Sequence, residues 1–372
     1  MRILYVLTTL GIGGAEKQVI DLAQRMASRG HFVALIVLKH ADEEWPVTLP
    51  VLRLNLPTTV LGIARGLRFA RKFLALFRPD ILHSHTFPAN IFARLLRLTL
   101  LFSRTVPAVI STIHNVHDGG WHRMAIYRLT TPLAAQVTAV SKAASDRYVQ
   151  LGAVSASKMT VLTNGIDTGA FTPDRSRRRR VRARMGADVF VWLAVGRIAP
   201  AKDYPNLLRA WAQVRAAHPK ALLWIAGEGD ASSLLLEAEK HLSTASQDSG
   251  VHLLGLRRDI LELLDAADGY VLSSAWEGMP LALGEAMAME KAVVATDVGG
   301  VRELAGDTAM IIPPGDSSAL AEEMLKVMGM GDKARRALGR EARQRVEQNF
   351  SMSAKADEWE SLYSGLVEQE TA

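Results

Sequence analysis

Gly269-Tyr270-Val271-Leu272-Ser273-Ser274-Ala275-Trp276-Glu277-Gly278-Met279-Pro280-Leu281-Ala282-Leu283-Gly284-Glu285-Ala286-Met287-Ala288 decides how the rest of this chain is read. Its first five residues are apolar and β-prone. Everything after Pro280 is rich in Ala, Leu, Met and Glu, and Pro280 suits a first helical turn. The stretch therefore reads strand, loop, helix. Gly278 lets the backbone approach a ligand closely, and the unpaired N–H groups at the helix start, with the positive end of its dipole, suit a diphosphate or a polarised sugar. Glu277 falls in the loop and Glu285 about two turns along the helix, so each carboxylate can accept from a pair of hydroxyls. In an ordinary α/β domain the same two residues are a helix cap and a solvated carboxylate, and the stretch alone leaves both readings open.

Outward from this point, β-like and helical runs alternate: 3–7, 16–28, 32–38, 63–77 and 81–84, then 189–195, 204–217, 221–225, 232–242, 251–254, 260–266, 270–273, 283–289 and 292–296. Such alternation implies βαβ units and parallel sheets. The fold class is α/β, with two doubly wound, Rossmann-like sheets in tandem. Ligands in such sheets bind beyond the carboxyl ends of the strands, and two facing lobes would set those ends on opposite walls of a central cleft. The 372 residues allow two or three domains at roughly 150 each. The expected division is 1–170 and 171–351, with turn material at Gly169, Thr172 and Pro173 between the lobes. Trp359, Leu362, Tyr363 and Leu366 lie at helical spacing in the final segment.

Composition narrows the chemistry. The chain has no Cys, which excludes a disulfide framework, a thiolate nucleophile and cysteine-based zinc sites, and is compatible with a reducing cytoplasm. The opening Met1-Arg2-Ile3-Leu4-Tyr5-Val6-Leu7 reads as a first strand rather than a signal peptide, because cleavage would orphan the amphipathic helix behind it. No apolar run approaches the roughly 20 residues that span a bilayer. Residues 1–150 carry 18 Lys and Arg against 8 Asp and Glu, whereas the remainder is net −4. Arg65, Arg68, Arg71, Lys72 and Arg78 are interleaved with Leu67, Phe69, Phe73, Leu74 and Phe77, and Arg94, Arg97 and Arg104 with Leu95, Leu96, Leu98, Leu100 and Leu101. This basic amphipathic pattern predicts a surface that sits on anionic lipid and receives a lipid-linked acceptor, with ordinary surface helices as the alternative. The arginine run from Arg175 to Arg184 has no interleaved aromatic residues of the sort nucleic-acid platforms use, and reads as a solvated helix.

Several motifs beyond the opening stretch point the same way. The 274–288 segment resembles the signature of the retaining glycosyltransferases of family 4, which have the GT-B fold. Val195-Gly196-Arg197-Ile198-Ala199-Pro200-Ala201-Lys202-Asp203 resembles that family's diphosphate clamp, and Val294-Ala295-Thr296-Asp297-Val298-Gly299-Gly300-Val301-Arg302-Glu303-Leu304 its closing loop. Gly11-Ile12-Gly13-Gly14-Ala15-Glu16 resembles its N-terminal glycine loop, and Asn164-Gly165-Ile166-Asp167 the segment leading into the second domain. The matches run in family order from about Met1 to Phe350. One departure is the turn Glu290-Lys291-Ala292, where the family usually has Gly-X-Pro.

The resemblance implies a cytoplasmic, peripherally membrane-bound transferase that moves a sugar with retention from a UDP- or GDP-sugar to a saccharide or lipid-linked saccharide acceptor in surface polysaccharide biosynthesis. It implies donor contacts from Gly13, Gly14, Arg197, Lys202, Glu277, Gly278, Met279, Pro280, Leu281 and Glu285. It sets His114 against the transferred sugar near the reacting carbon, so that His114, Arg197, Lys202 and Glu277 carry the chemistry. It also implies a final helix, 352–372, that returns to the first domain. Arg197 and Lys202 beside a departing diphosphate would stabilise the transition state more than the ground state. Glu16, His83, His85 and His117 are expected on the acceptor side. The spacing of the histidines fits no zinc template, and no Asp-X-Asp triplet occurs for a Mn²⁺ or Mg²⁺ diphosphate complex, so neither metal nor cofactor is expected. The glycine loop is not a dinucleotide fingerprint, since its sixth position is Glu16 and Lys39 follows the second strand. Two other classes remain: a nucleotide-sugar epimerase, which needs no acceptor, and a non-catalytic basic scaffold.

Overall fold

The computed structural model describes residues 1–57, 59–100, 106–117, 119–185, 189–230, 232 and 249–371. The helix expected over 232–242, apart from Ser232, and the expected contributions of Leu101 and Arg104 lie outside the described residues. The chain divides into two compact units, Met1–Gly165 with Met352–Ala372, and Ile166–Ser351.

The first unit is built on a parallel sheet of seven strands among the described residues: β1 (Arg2–Leu7), β2 (Phe32–Val37), β3 (Val51–Arg53), β4 (Ile81–His85), β5 (Ala108–Ile113), β6 (Gln136–Ala139) and β7 (Met159–Val161), in the order β3-β2-β1-β4-β5-β6-β7. β1 is central, with Ile3 opposite Val33 on one side and Ile81 on the other. Its Ile-Leu-Tyr-Val-Leu run is buried on both faces, which is why it lacks the alternation of a half-exposed strand. The helices are α1 (Gly14–Ser28), α2 (Val60–Phe77), α3 (Phe87–Leu98), α4 (Trp121–Thr130) and α5 (Lys142–Gln150). On one face Val19, Leu22, Ala23 and Met26 of α1 pack with Ile3, Tyr5 and Leu35; on the other Leu4, Val6 and Leu82 meet Ala70 and Leu74 of α2 and Phe92 and Leu96 of α3. The final helix, here α13 (Met352–Thr371), buries Ala356, Trp359, Tyr363 and Leu366 beside α1 in the first of these cores.

The second unit holds a six-stranded parallel sheet among the described residues: β8 (Val191–Val195), β9 (Leu222–Ala226), β10 (Val251–Gly255), β11 (Gly269–Leu272), β12 (Ala292–Thr296) and β13 (Met310–Ile312), in the order β10-β9-β8-β11-β12-β13. Around it lie α6 (Arg175–Met185), α7 (Tyr204–Ala217), α8 (Ile260–Ala266), α9 (Leu281–Ala288), α10 (Val301–Ala305), α11 (Ser317–Gly329) and α12 (Asp332–Asn349). Trp192 and Trp211 are fully buried against Leu207, Leu223, Val294 and Leu320.

Four details bear on these expectations. Pro280 is extended and precedes α9, which starts at Leu281, so it lies one residue outside the helix. Glu290 takes up a left-handed conformation (φ +56) just after α9, the conformation for which glycine is the ordinary choice. Arg94 is not part of a basic surface: it is fully buried, donating to Ser111 Oγ at 3.1 Å and Thr130 Oγ1 at 3.0 Å. The arginines of α6 are also largely engaged, as Arg178 donates to the carbonyls of Asp265, Ala266 and Ala267 at 2.7–2.8 Å and Arg182 to that of Ala266 at 2.9 Å.

Candidate active site

In a doubly wound sheet, the strand order reverses at one point, and the loops leaving the two strands there diverge to open a crevice. In the second unit that point lies between β8 and β11, and both candidate motifs leave from it. After β8 the chain passes through Gly196 (φ +156), Arg197 and a short 3-10 turn, Pro200–Lys202. A side chain at Gly227 would meet the Gly196 carbonyl at 1.8 Å, so the close approach of the two backbones needs glycine at 227. Asp203 (φ +44) then caps α7 by accepting from the Asn206 N–H at 3.3 Å.

After β11 come Ser273 to Pro280, and the two loops are tied together. The Ala275 N–H donates to the Ala201 carbonyl at 2.9 Å, and Ser273 Oγ donates to the Lys202 carbonyl at 2.8 Å. Lys202 Nζ reaches Glu277 Oε1 at 2.5 Å, and Ser274 Oγ donates to the same oxygen at 2.7 Å. Thr296 Oγ1, at the end of β12, donates to the Ser274 carbonyl at 2.7 Å. A third loop abuts this one: the Gly300 N–H donates to the Gly278 carbonyl at 2.8 Å, and a side chain at Gly299 (φ +53) would lie 2.0 Å from the Glu277 carbonyl. The 196–203, 273–280 and 297–304 segments, read separately in the sequence, thus form one polar cluster.

Its members differ in commitment. Arg197 is exposed and bonds to no described residue, Lys202 and Glu277 are largely sequestered by each other, and Glu285 is buried within α9. Within the loop Gly278, Met279 and Pro280 are buried, and Leu281, which opens α9, is half-buried. Tyr204 donates to the Gly196 carbonyl at 2.8 Å, fixing the glycine turn from behind. Burial, reinforced by the Glu277 charge, pushes the Tyr204 hydroxyl well above its ordinary range, so it remains a donor. Neither Tyr204, Ser273, Ser274 nor Thr296 stood out in the sequence. Only contacts between strands far apart in the chain identify them.

In the first unit the reversal lies between β1 and β4. Thr8, after β1, shares a 2.8 Å hydrogen bond with Thr86, after β4, and Thr86 holds a strained conformation (φ +70, ψ 160). Gly13 precedes α1 in extended conformation, Gly14 opens the helix, and Glu16 in its first turn accepts from Thr9 Oγ1 at 3.3 Å. His85 ends β4 and His114 follows β5, with His85 Nδ1 3.0 Å from His114 Nε2. Burial lowers His114 to about 4 and holds His85 well below the ordinary histidine range, so both rings are neutral. His117 lies on the exposed loop beyond β5. His83 is not on an acceptor surface: it is 0% exposed, bonds Tyr363 and Thr112 at 2.7 Å each, and packs at a tilt against Trp359 of α13. All three rings are buried, but the mid-strand ring of His83 is sealed and bonded at both nitrogens, while His114, beyond the end of β5, retains 8% exposure.

Among the described residues no group of three His, Cys, Asp or Glu side chains is placed to hold a metal ion, and no helix is long and apolar enough to cross a membrane.

Two tandem Rossmann-like units, each with its polar candidates at the sheet's reversal point, define the GT-B class of fold. Residues 12–170 match the family model described as Glycosyltransferase Family 4, and residues 189–330 the one described as Glycosyl transferases group 1. Together these matches span most of the chain, which belongs to this family of glycosyltransferases. It is similar to a glycogen synthase of Mycobacterium tuberculosis (28% identical over 304 residues, 77% of this chain and 69% of that protein). It is also similar to the UDP-Gal:alpha-D-GlcNAc-diphosphoundecaprenol alpha-1,3-galactosyltransferase of Escherichia coli (25% over 311 residues, 80% of this chain and 78% of that one). In structure it resembles Anabaena HepE in complex with UDP and glucose, with a TM-score of 0.83 at 21% identity over 98% of this chain and 99% of that one.

Proposed function

We propose that this glycosyltransferase takes its sugar from a nucleoside diphosphate sugar, with UDP ahead of GDP, and transfers it with retention and without a metal to a saccharide or lipid-linked saccharide. The observation that carries the donor site is the Lys202–Glu277 contact at the β8/β11 reversal, with exposed Arg197 beside it in the chain. A basic pair suits the diphosphate, and two acidic residues, Glu277 and Glu285, suit hydroxyls of the sugar and ribose. The Escherichia coli relative uses UDP-galactose and a diphosphoundecaprenol-linked acceptor, which supports a UDP donor and a lipid-linked acceptor here.

In the proposed reaction the bond from the anomeric carbon to the diphosphate breaks, its electron pair passing to the phosphate oxygen, where Arg197 and Lys202 stabilise the charge. The acceptor hydroxyl forms its bond on the same face, and its proton goes to that departing oxygen. Lys202 exchanges part of its contact with Glu277 for the phosphate, freeing Glu277 to accept from sugar hydroxyls. His114, neutral, contacts the sugar near the reacting carbon.

The acceptor end of the proposal draws on α2, α3 and α4. These neighbouring helices contain no Asp or Glu, and their exposed side chains include Arg65, Arg68, Arg71, Lys72, Arg123 and Arg128. Between these cations stand Leu61, Phe69, Leu76 (83% exposed), Trp121 (79%) and Leu129. Cations mixed with large apolar side chains suit an anionic bilayer surface. Vesicles of neutral and anionic phospholipid test this part: binding to the anionic ones, weakened by Leu76→Ser with Trp121→Ser, is expected, and equal recovery with both vesicle types overturns it.

A thermal-shift series tests the donor site, with UDP, GDP and ADP, with and without magnesium, on the wild type and on Glu285→Ala. A ligand that binds only the folded state raises its midpoint. The expected outcome is stabilisation of the wild type by one diphosphate without magnesium, and much less of the variant. No shift with any of them removes the donor site. Donor consumption that proceeds fully without an acceptor would favour an epimerase instead.

A further inference from the structure

We infer that His85 is a positioning residue that fixes both the ring orientation and the proton of His114, so that His114 presents an Nδ1–H donor to the transferred sugar. The geometry is an imidazole pair across the ends of β4 and β5, with Nδ1 of His85 3.0 Å from Nε2 of His114. Both rings are neutral, so one of these two nitrogens carries a proton and the other accepts it.

The far nitrogen of His85 discriminates between the two arrangements. Its Nε2 is buried and has no hydrogen-bond partner among the described residues. If His114 donated, Nδ1 of His85 would be the acceptor, and the single proton of neutral His85 would sit on Nε2 as a buried N–H with nothing to receive it. If His85 donates from Nδ1, its Nε2 is left as a bare lone pair. An orphaned buried N–H is the arrangement folded proteins avoid more strictly. Nε2 of His114 is then the acceptor, its proton is on Nδ1, and no described residue bonds that atom.

Packing holds the pair in place. The His83 ring lies 4.0 Å from the His85 ring and is itself tied at both nitrogens, Nδ1 to Tyr363 and Nε2 to Thr112. Exposure rises outward from 0% at His83 through 3% at His85 to 8% at His114. The outermost ring is the most accessible of the three, and the inner two brace it. A fixed N–H donor suits a sugar hydroxyl or ring oxygen, where a rotating imidazole would lose part of the interaction to reorientation.

This inference rests on the reading that His114 meets the transferred sugar, yet its core can be read without turnover. In protein labelled with ¹⁵N-histidine, long-range imidazole spectra report the tautomer of His114, assigned by its loss in His114→Gln. The expected results are an Nδ1-protonated His114 in the wild type, the same tautomer in His85→Asn, whose amide can donate from a similar position, and a shift toward the Nε2 tautomer in His85→Ala. Donor turnover in His85→Ala is expected to drop about tenfold in kcat with little change in the donor KM, and to recover in His85→Asn. An Nε2-protonated His114 in the folded wild type, or an unchanged tautomer in His85→Ala, overturns the inference. If the wild type turns over no donor, the transferase reading fails while the spectra still decide the tautomer.

Discussion

Lys202 and Glu277 each carry a charge that the other neutralises, and both lie at the point where a diphosphate and a sugar are proposed to bind. Glu277→Gln keeps the size and the hydrogen bonding of the side chain while removing its charge. Its rate of sugar transfer is expected to fall on the order of 10²-fold, as is that of Lys202→Ala, measured as initial rates of donor consumption. Arg197 separates function from folding more cleanly. It is exposed and bonds to no described residue, so Arg197→Ala should leave the unfolding free energy within about 0.5 kcal/mol while lowering the rate by a similar factor. Gly299 is the opposite case. A methyl group there meets the Glu277 carbonyl at 2.0 Å in a left-handed conformation, so Gly299→Ala should cost about 2 kcal/mol or more and displace Glu277 along with its loop. A Gly299→Ala protein of unchanged stability and activity would contradict the packing of these loops.

At the scale of elements, α6 shows how tertiary contacts reassign a charge run. Helix α8 ends at Ala266, and its last carbonyls need donors. Arg178 and Arg182 supply them, and Arg177, Arg178 and Arg182 pair with Asp265 and Asp268. A basic helix at the negative end of another helix is favourable twice over, through the hydrogen bonds and through the dipole. Arg178→Ala should therefore destabilise the second unit by about 2–3 kcal/mol, while Arg179→Ala, on an exposed position, should be neutral within about 0.5 kcal/mol. Urea denaturation of the two variants checks the contrast. Equal effects would mean that the run acts only through its total charge. With so many of its cations spent on α8, a nucleic-acid or membrane scaffold built on this helix has little left to bind with.

For the molecule as a whole, the three histidines buried in the first unit make stability depend on pH. His83, His85 and His114 are held neutral by burial, with ordinary values near 6.5 once unfolded. Below 6.5 the unfolded chain takes up protons that the folded one refuses, so stability is fully present above 6.5 and is lost as pH falls toward about 4. His114 alone, lowered to about 4, should account for about 3 kcal/mol of that loss. Urea midpoints from pH 7.5 to 4 measure it, and His114→Gln should flatten the slope. The same core depends on α13. Trp359 is nearly sealed among α1, β1 and His83, and Trp359→Ala should cost about 3–5 kcal/mol.

The sequence determined most where burial on both faces leaves an uninterrupted apolar run, as at β1, β2, β8, β9, β11 and β12, and where Gly and Pro punctuate a strand-to-helix loop, as at Gly196, Gly278 and Pro280. The three-residue edge strands β3, β7 and β13 were not legible, because a strand with one neighbour and partial exposure carries too few apolar residues to leave a pattern. Side-chain fate was not legible either. Arg94 and Arg97 look alike in the chain, yet the first is sealed among Ser111, Tyr127 and Thr130 and the second is not. His83 and His85 are two residues apart on one strand, but only the one beneath α13 is locked at both ring nitrogens. Local pattern fixes backbone conformation because it acts over a few residues. The partners of a buried polar group lie tens or hundreds of residues away, and only the folded chain brings them within hydrogen-bonding reach.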